Sequence, residues 1–278
     1  VDVLPRFNRD TTDRNRTSPF AFTGNKFEFR MVGSSDSIAC PNMMLNAAVA
    51  DALMQFADVL EKAKDFNSCL HDLIRKTIVD HKRIIFNGNG YDDAWIKEAV
   101  EKRGLCNLRT TPDALQRLLE EKNIRMLLGQ HVFTESELRS RYEIQLENYV
   151  RTVRIEALTM TDMSRREIQP AVMAYSTDAA RGIAAKKAVD SGAACRYETK
   201  LIKRLDDLSD SIYTAADELE KAVIVLDSLE NVTFQALHIR DIILPKMAEL
   251  RAACDEAETL TASSYWPFPT YGDLLFGV

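Results

Sequence analysis

The chain has 278 residues, 46% hydrophobic and 28% charged, which is enough for a real core and argues against disorder. Forty-two acidic against 36 basic side chains leave a formal charge of −6, unlike the basic surface of a general nucleic-acid binder. Mean hydropathy is −0.23 and no run reaches 18 apolar residues, so no membrane span is expected.

The start, Val1-Asp2-Val3-Leu4-Pro5-Arg6, lacks an initiator Met and the basic-then-apolar pattern of a signal peptide. The simplest reading is a chain that begins inside a longer protein. The first informative stretch is the polar loop Asp13-Arg14-Asn15-Arg16-Thr17-Ser18-Pro19, whose two arginines suit bidentate phosphate contacts or a plain surface loop. The one convincing strand follows, Lys26-Phe27-Glu28-Phe29-Arg30. Alternation puts Phe27 and Phe29 toward a core and Lys26, Glu28 and Arg30 on the other face. That face reads plus, minus, plus over roughly 13 Å, at about 3.3 Å per residue. A carboxylate there could hold Mg²⁺ while the flanking cations grip phosphate or a substrate carboxylate. A solvated face laced by cross-strand ion pairs has the same pattern.

Beyond residue 42 the periodicity is helical. Helices are expected over 42–64, opening after Pro41, and over 67–81. Asn87-Gly88-Asn89-Gly90 reads as a turn, because both glycines tolerate positive φ. Asp92 or Asp93 opens a short helix that Gly104 closes, and Thr111-Pro112-Asp113 reads as the cap and first two residues of another. Thr134-x-x-Glu137 is a capping box for a long helix to about Thr161, and Ser164-x-x-Glu167 repeats the signal just before Pro170. Leu201, Leu205, Leu208, Ile212, Ala215, Leu219, Ala222, Leu226 and Leu229 alternate by four and three, a coiled-coil seam. Ile243, Met247, Leu250, Cys254 and Ala257 continue it, with Pro245 expected to kink that helix or mark its start. Asn231 between the two stripes predicts an antiparallel hairpin. Tyr265-Trp266-Pro267-Phe268-Pro269-Thr270-Tyr271 is expected to be neither helix nor strand, and too aromatic to leave in water. It should dock on its own bundle or on a neighbouring subunit. Five widely spaced cysteines and four scattered histidines make neither a disulfide framework nor a zinc site, and point to a reducing cytoplasm.

Several blocks together resemble glutamine synthetases, in their type III form. They are DRNRTSPFAF at 13–22, TGNKFEFR at 23–30, FNGNGYDDAW at 86–95, LRTTPDAL at 108–115, VFTESEL at 132–138, IEALTM at 155–160 and YWPFPTYGDLLF at 265–276. The resemblance implies an α+β, predominantly helical chain. Residues 1–163 would end a catalytic domain with few strands, and 164–278 would form a type III helical extension, an antiparallel bundle or coiled coil with an aromatic tail. It implies an ATP-dependent glutamate–ammonia ligase that works through γ-glutamyl phosphate in nitrogen assimilation. Its partners would be glutamate, ammonia, ATP and Mg²⁺ or Mn²⁺, in a cytoplasmic ring oligomer that stacks into a dodecamer, with no nucleic acid and no membrane. Arg16 matches the arginine on the transferring phosphate, Lys26 a basic residue near the ATP phosphates, Glu28 a metal ligand and Arg30 an arginine that holds glutamate or the γ-glutamyl group. Phosphoryl transfer needs this mixture, since it is mostly positioning and neutralisation of charge on oxygens. Ala21 departs from the common bacterial form, which has a second arginine five residues after the one matched by Arg16. The remaining metal and ammonium-site residues of the family would precede Val1, so the chain alone is expected to be inactive. Two other readings fit the residues: a helical assembly module with vestigial site residues, and a related carboxylate–amine ligase.

Overall fold

A computed structural model describes residues 20–22, 27–29, 37–86 and 92–276. The chain divides into two compact units, Val1–Arg109 with Gln116–Ser140, and Thr110–Leu115 with Arg141–Val278.

The first unit opens on two three-residue strands, β1 (Phe20–Phe22) and β2 (Phe27–Phe29), paired antiparallel. Phe20 faces Phe29, Ala21 faces Glu28 and Phe22 faces Phe27, so Glu28 sits at the centre of β2 between two phenylalanine pairs. Helix α1 (Ala39–Leu60) starts earlier than expected, because Pro41 in a first turn lacks only an N–H that would have no intrahelical partner anyway. It also ends earlier, at Leu60, and Asp65 starts α2 (Phe66–Asp80) by accepting from the Asn67 and Ser68 N–H groups at 3.1 and 3.2 Å. By length and composition α1 could cross a membrane, with a mean hydropathy of 1.3 over its best window. It holds no 18-residue apolar run because Asn42, Asn46, Asp51, Gln55 and Asp58 interrupt it.

Helix α3 (Asp93–Glu101) is capped by Asp92 and closed by Gly104 at φ +63, the left-handed conformation for which glycine was expected there. Helix α5 (Glu121–Gly129) had no capping signal and was not expected. It supplies Leu127 to a small core with Ala47, Phe133 and Leu138.

Helix α6 (Glu135–Met163) starts on the expected capping box: the Thr134 N–H donates to Glu137 Oε2 at 2.8 Å, and the Glu137 N–H donates to Thr134 Oγ1 at 3.3 Å. The second signal fails. Ser164 is buried inside a π-helical segment, Ser164–Ile168, that runs on into α7 (Gln169–Val189). Its hydroxyl donates to the Thr161 carbonyl at 2.9 Å instead of capping a new helix. Pro170 explains the widened turn. A prolyl ring clashes with the carbonyl four residues back in a regular α-helix. Here the Gln169 N–H reaches back five residues to Ser164, which opens the turn ahead of the ring. The same solution recurs at Ile239–Ile243, where the Leu244 N–H reaches Ile239 just before Pro245. So neither proline breaks its helix.

The second unit is organised around α8 (Arg196–Asp227). Ser176 in α7 meets Asp206, and Gln169 meets the Ser209 carbonyl. On the other side Arg204 meets Glu256, and Glu218 meets Lys246, both in the range of α10 (Leu244–Leu260). Along α8 the partner numbers fall as its own rise. Leu205, Ile212, Ala216 and Leu219 are fully buried in the seam. Ala216, not Ala215, takes the buried place, as expected when a 3.6-residue helix drifts against a 3.5-residue repeat. Asn231 caps α9 (Val232–His238), accepting from the Thr233 and Phe234 N–H groups. A short α4 (Thr111–Leu115) belongs with this unit and starts one residue earlier than expected, with the Thr110 hydroxyl donating to the Asp113 carboxylate in its first turn.

The aromatic strap docks on its own unit: Trp266 and Phe268 pack against the main core, edge to face at 6.3 Å, and the Tyr265 hydroxyl donates to Asp178. Tyr271 opens a further helix, α11 (Tyr271–Phe276), started by a Thr270–Asp273 capping box. Full burial of each ring is worth roughly 1.5–3 kcal/mol, partly offset by the cost of ordering an irregular segment. Removing 265–278 should therefore lower the melting temperature by several degrees and leave the size-exclusion volume unchanged. An unchanged melt would make the strap a loose appendage.

Candidate functional site

Of the four residues expected to act on phosphate, metal and substrate, Arg16, Lys26 and Arg30 lie outside the described residues. Glu28 lies within them, opposite Ala21 in the β-ribbon. The aromatic alternation that identified the strand in the sequence is the pattern that pairs. A single carboxylate is one oxygen donor for a hard divalent cation, which normally takes six or more ligands. Among the described residues no group of three or more His, Cys, Asp or Glu could hold a metal. The described part of this chain therefore does not form a metal centre by itself.

Two other polar clusters are built in detail, and both read as structural. In the first unit Arg103 folds back over Trp95 at 4.8 Å. Its guanidinium donates to Glu98 at 2.9 Å and to the Ile85 carbonyl at 2.8 Å, and Phe86 stacks on Trp95 at 3.7 Å. One arginine thus ties Trp95 to the chain at Ile85, next to the Phe86 ring that stacks on it.

In the second unit Arg240 donates to Asp113 at 2.6 Å and to both oxygens of Asp241 at 2.7 and 2.8 Å. The Thr110 hydroxyl holds the Asp113 carboxyl below its usual range, with Arg240 adding to the effect, and Arg240 lowers Asp241 in the same way. The Tyr149 hydroxyl lies buried nearby with no hydrogen-bond partner, and burial raises its pKa. Arg240 bridges two carboxylates through three of its N–H groups, so the cluster fastens α4 to this unit. The Thr110-x-x-Asp113 spacing was its only visible trace in the sequence, since Arg240 is 127 residues away. Burial also pushes the Cys254 thiol up to about 11, so it stays protonated and inert.

Structurally the chain is a mostly helical protein segment with a short β-ribbon. The glutamine synthetase C-terminal domain model matches residues 69–187. The chain is 37% identical over 282 residues to the glutamine synthetase of Butyrivibrio fibrisolvens, covering 98% of this chain and 39% of that protein. It is 32% identical over 280 residues to the Type-3 glutamine synthetase of Dictyostelium discoideum, covering 98% and 38%. It is likewise 32% identical over 286 residues to the glutamine synthetase of Bacteroides fragilis strain YCH46, covering 99% and 39%. This chain belongs to the glutamine synthetase family, and it spans about 39% of the length of the curated relatives it matches.

Proposed function

We propose that this chain is the C-terminal part of a type III glutamine synthetase, an ATP-dependent glutamate–ammonia ligase. The observation that supports this best is a match over 98% of the chain to relatives bearing that name, the Type-3 form among them. In this reading 1–163 ends the catalytic domain and 164–278 is an antiparallel helical extension.

The chemistry proposed is two displacements. A γ-carboxylate oxygen of glutamate attacks the γ-phosphorus of ATP and ADP leaves. Ammonia then adds to the acyl phosphate carbon, phosphate departs with the former carboxylate oxygen, and the nitrogen loses its extra proton. Arg16 and Lys26 neutralise phosphate oxygens, and Arg30 orients the glutamyl group. Glu28 supplies one oxygen ligand to Mg²⁺ or Mn²⁺, with the other ligands coming from outside this chain. When bound, the metal withdraws charge from the phosphate oxygens. Ring assembly to a dodecamer and a cytoplasmic location complete the proposal. The five free cysteines support the latter.

The test is product analysis. The full-length protein given ATP, Mg²⁺, glutamate and ammonia should release glutamine, ADP and phosphate in equal amounts. The 278-residue chain alone should release none, because one carboxylate cannot clamp the metals of phosphoryl transfer. Activity of the short chain would overturn this placement of the catalytic groups. A full-length protein that ligates only another acid or amine would point to a related ligase, and one that does not bind nucleotide to an assembly module.

A further inference from the structure

We infer that α4 is a latch that opens and closes on its unit, held shut by Asp113 on Arg240 and loaded toward opening by the buried Tyr149 hydroxyl beside that pair. The grip is small. The helix has five residues, far fewer than a helix needs to persist alone in water. Arg109 and Gln116, on either side of Thr110–Leu115, group with the other unit, so the hold of α4 on this unit comes from its own contacts. Pro112 is its one fully buried residue, and Leu115 packs on the main core at partial burial. The hydrogen bond from Arg240 to Asp113, at 2.6 Å, adds a charged tie. The two side chains are 28% and 34% exposed, so water and salt weaken that tie. The bond from the Thr110 hydroxyl orients the Asp113 carboxylate but lies within the same short segment, so it survives opening.

The load is at Tyr149. Its hydroxyl oxygen is closed to solvent and has no hydrogen-bond partner. Asp113 and Arg240 are near enough to act on its ionisation, in opposite directions. Yet neither bonds it: the Asp113 carboxylate accepts from Thr110 and Arg240, and Arg240 donates to Asp113 and Asp241. A buried hydroxyl without a partner has lost its hydration and gained no bond, and it regains one as soon as water reaches it. Closure of α4 therefore carries a penalty at Tyr149 that opening removes. The α8 seam is the contrast, sealed at Leu205, Ile212 and Leu219 and free to open only with the whole unit.

Hydrogen exchange on the full-length protein tests the latch, read by mass spectrometry on peptides from α4 and from the seam between Leu205 and Leu219. The α4 amides, including Ala114 N–H on the Thr110 carbonyl, should exchange on the order of 100-fold faster than the seam. Tyr149→Phe removes only the hydroxyl and should slow exchange in α4 about tenfold. Asp113→Asn weakens the charged tie and should speed it about tenfold. Opposite signs at two neighbouring side chains are the signature of a loaded latch. Exchange in α4 as slow as in the seam would overturn the inference, because α4 would then open only with the whole unit. Unchanged or faster exchange in Tyr149→Phe would overturn it too, since the hydroxyl would then be satisfied, for example by an ordered water. Unchanged exchange in Asp113→Asn would take the grip away from the ion pair and overturn it as well.

Discussion

Replacing Glu28 by Gln in the full-length protein is expected to abolish most ligase turnover and to leave the melting temperature nearly unchanged. The substitution keeps the shape, exchanges one accepting oxygen for an NH2 donor and removes one negative charge from a site proposed to face a divalent metal. Losing that ligand should cost several kcal/mol of transition-state stabilisation, hence on the order of a thousandfold in rate at about 1.4 kcal/mol per tenfold. Lys26→Ala should raise the ATP concentration needed for half-maximal rate, and Arg30→Ala the glutamate concentration. A surface ion-pair partner gives the opposite signature, with activity intact and stability changed by roughly 0–1 kcal/mol. A fully active Glu28→Gln enzyme would return the ribbon to a purely structural part.

Leu219→Ala should do the reverse and destabilise strongly without touching the chemistry. Leu219 is fully buried in the C-terminal half of α8, between the levels set by Glu218–Lys246 and the Ala222–His238 hydrogen bond. Truncating it removes transfer energy and leaves a cavity that helices pinned on both sides cannot collapse around, a cost of about 2.7–5 kcal/mol. The melting temperature of the second unit should fall by roughly 10 °C, since each kcal/mol shifts it by about 2–4 °C at this size. Tyr213→Ala, on the exposed side of the same helix, should change stability by less than about 0.5 kcal/mol. Equal effects at the two positions would mean that the seam has been misplaced.

What could be read from the sequence follows from how local each signal is. Asp92 and Thr134 cap helices through contacts two or three residues away, so local signals located those two starts, whereas Asn231, read only as the joint of a hairpin, also proves to be a cap. The α8 seam repeats over 32 residues and leaves little choice of face. Ser164 misled because a capping spacing also occurs inside a helix, and only the contacts of its hydroxyl decide. Pro245 does stand in the first turn of α10, as one of its two expected readings had it, but there and at Pro170 a π turn carries the preceding helix straight into the next, which a rule built on α geometry does not foresee. The Arg240 cluster joins residues 127 apart and had no periodic trace. For the site, the alternation of the strand was legible and survives as the pairing of β2, and the chemistry came from the resemblance of whole blocks. Within the described residues those blocks make local contacts: Phe86 and Trp95 stack, Asp113 anchors Arg240, Thr134 and Glu137 cap α6, and Trp266 and Phe268 pack on the core.

The most direct measurement follows oxygen. Glutamate labelled with ¹⁸O in its γ-carboxylate is incubated with ATP, Mg²⁺, ammonia and the full-length protein, and the released phosphate is analysed by mass. Ligation through γ-glutamyl phosphate requires one labelled oxygen to leave in the phosphate for every glutamine formed. Phosphate without label, or label transfer without any glutamine, would contradict the proposed reaction.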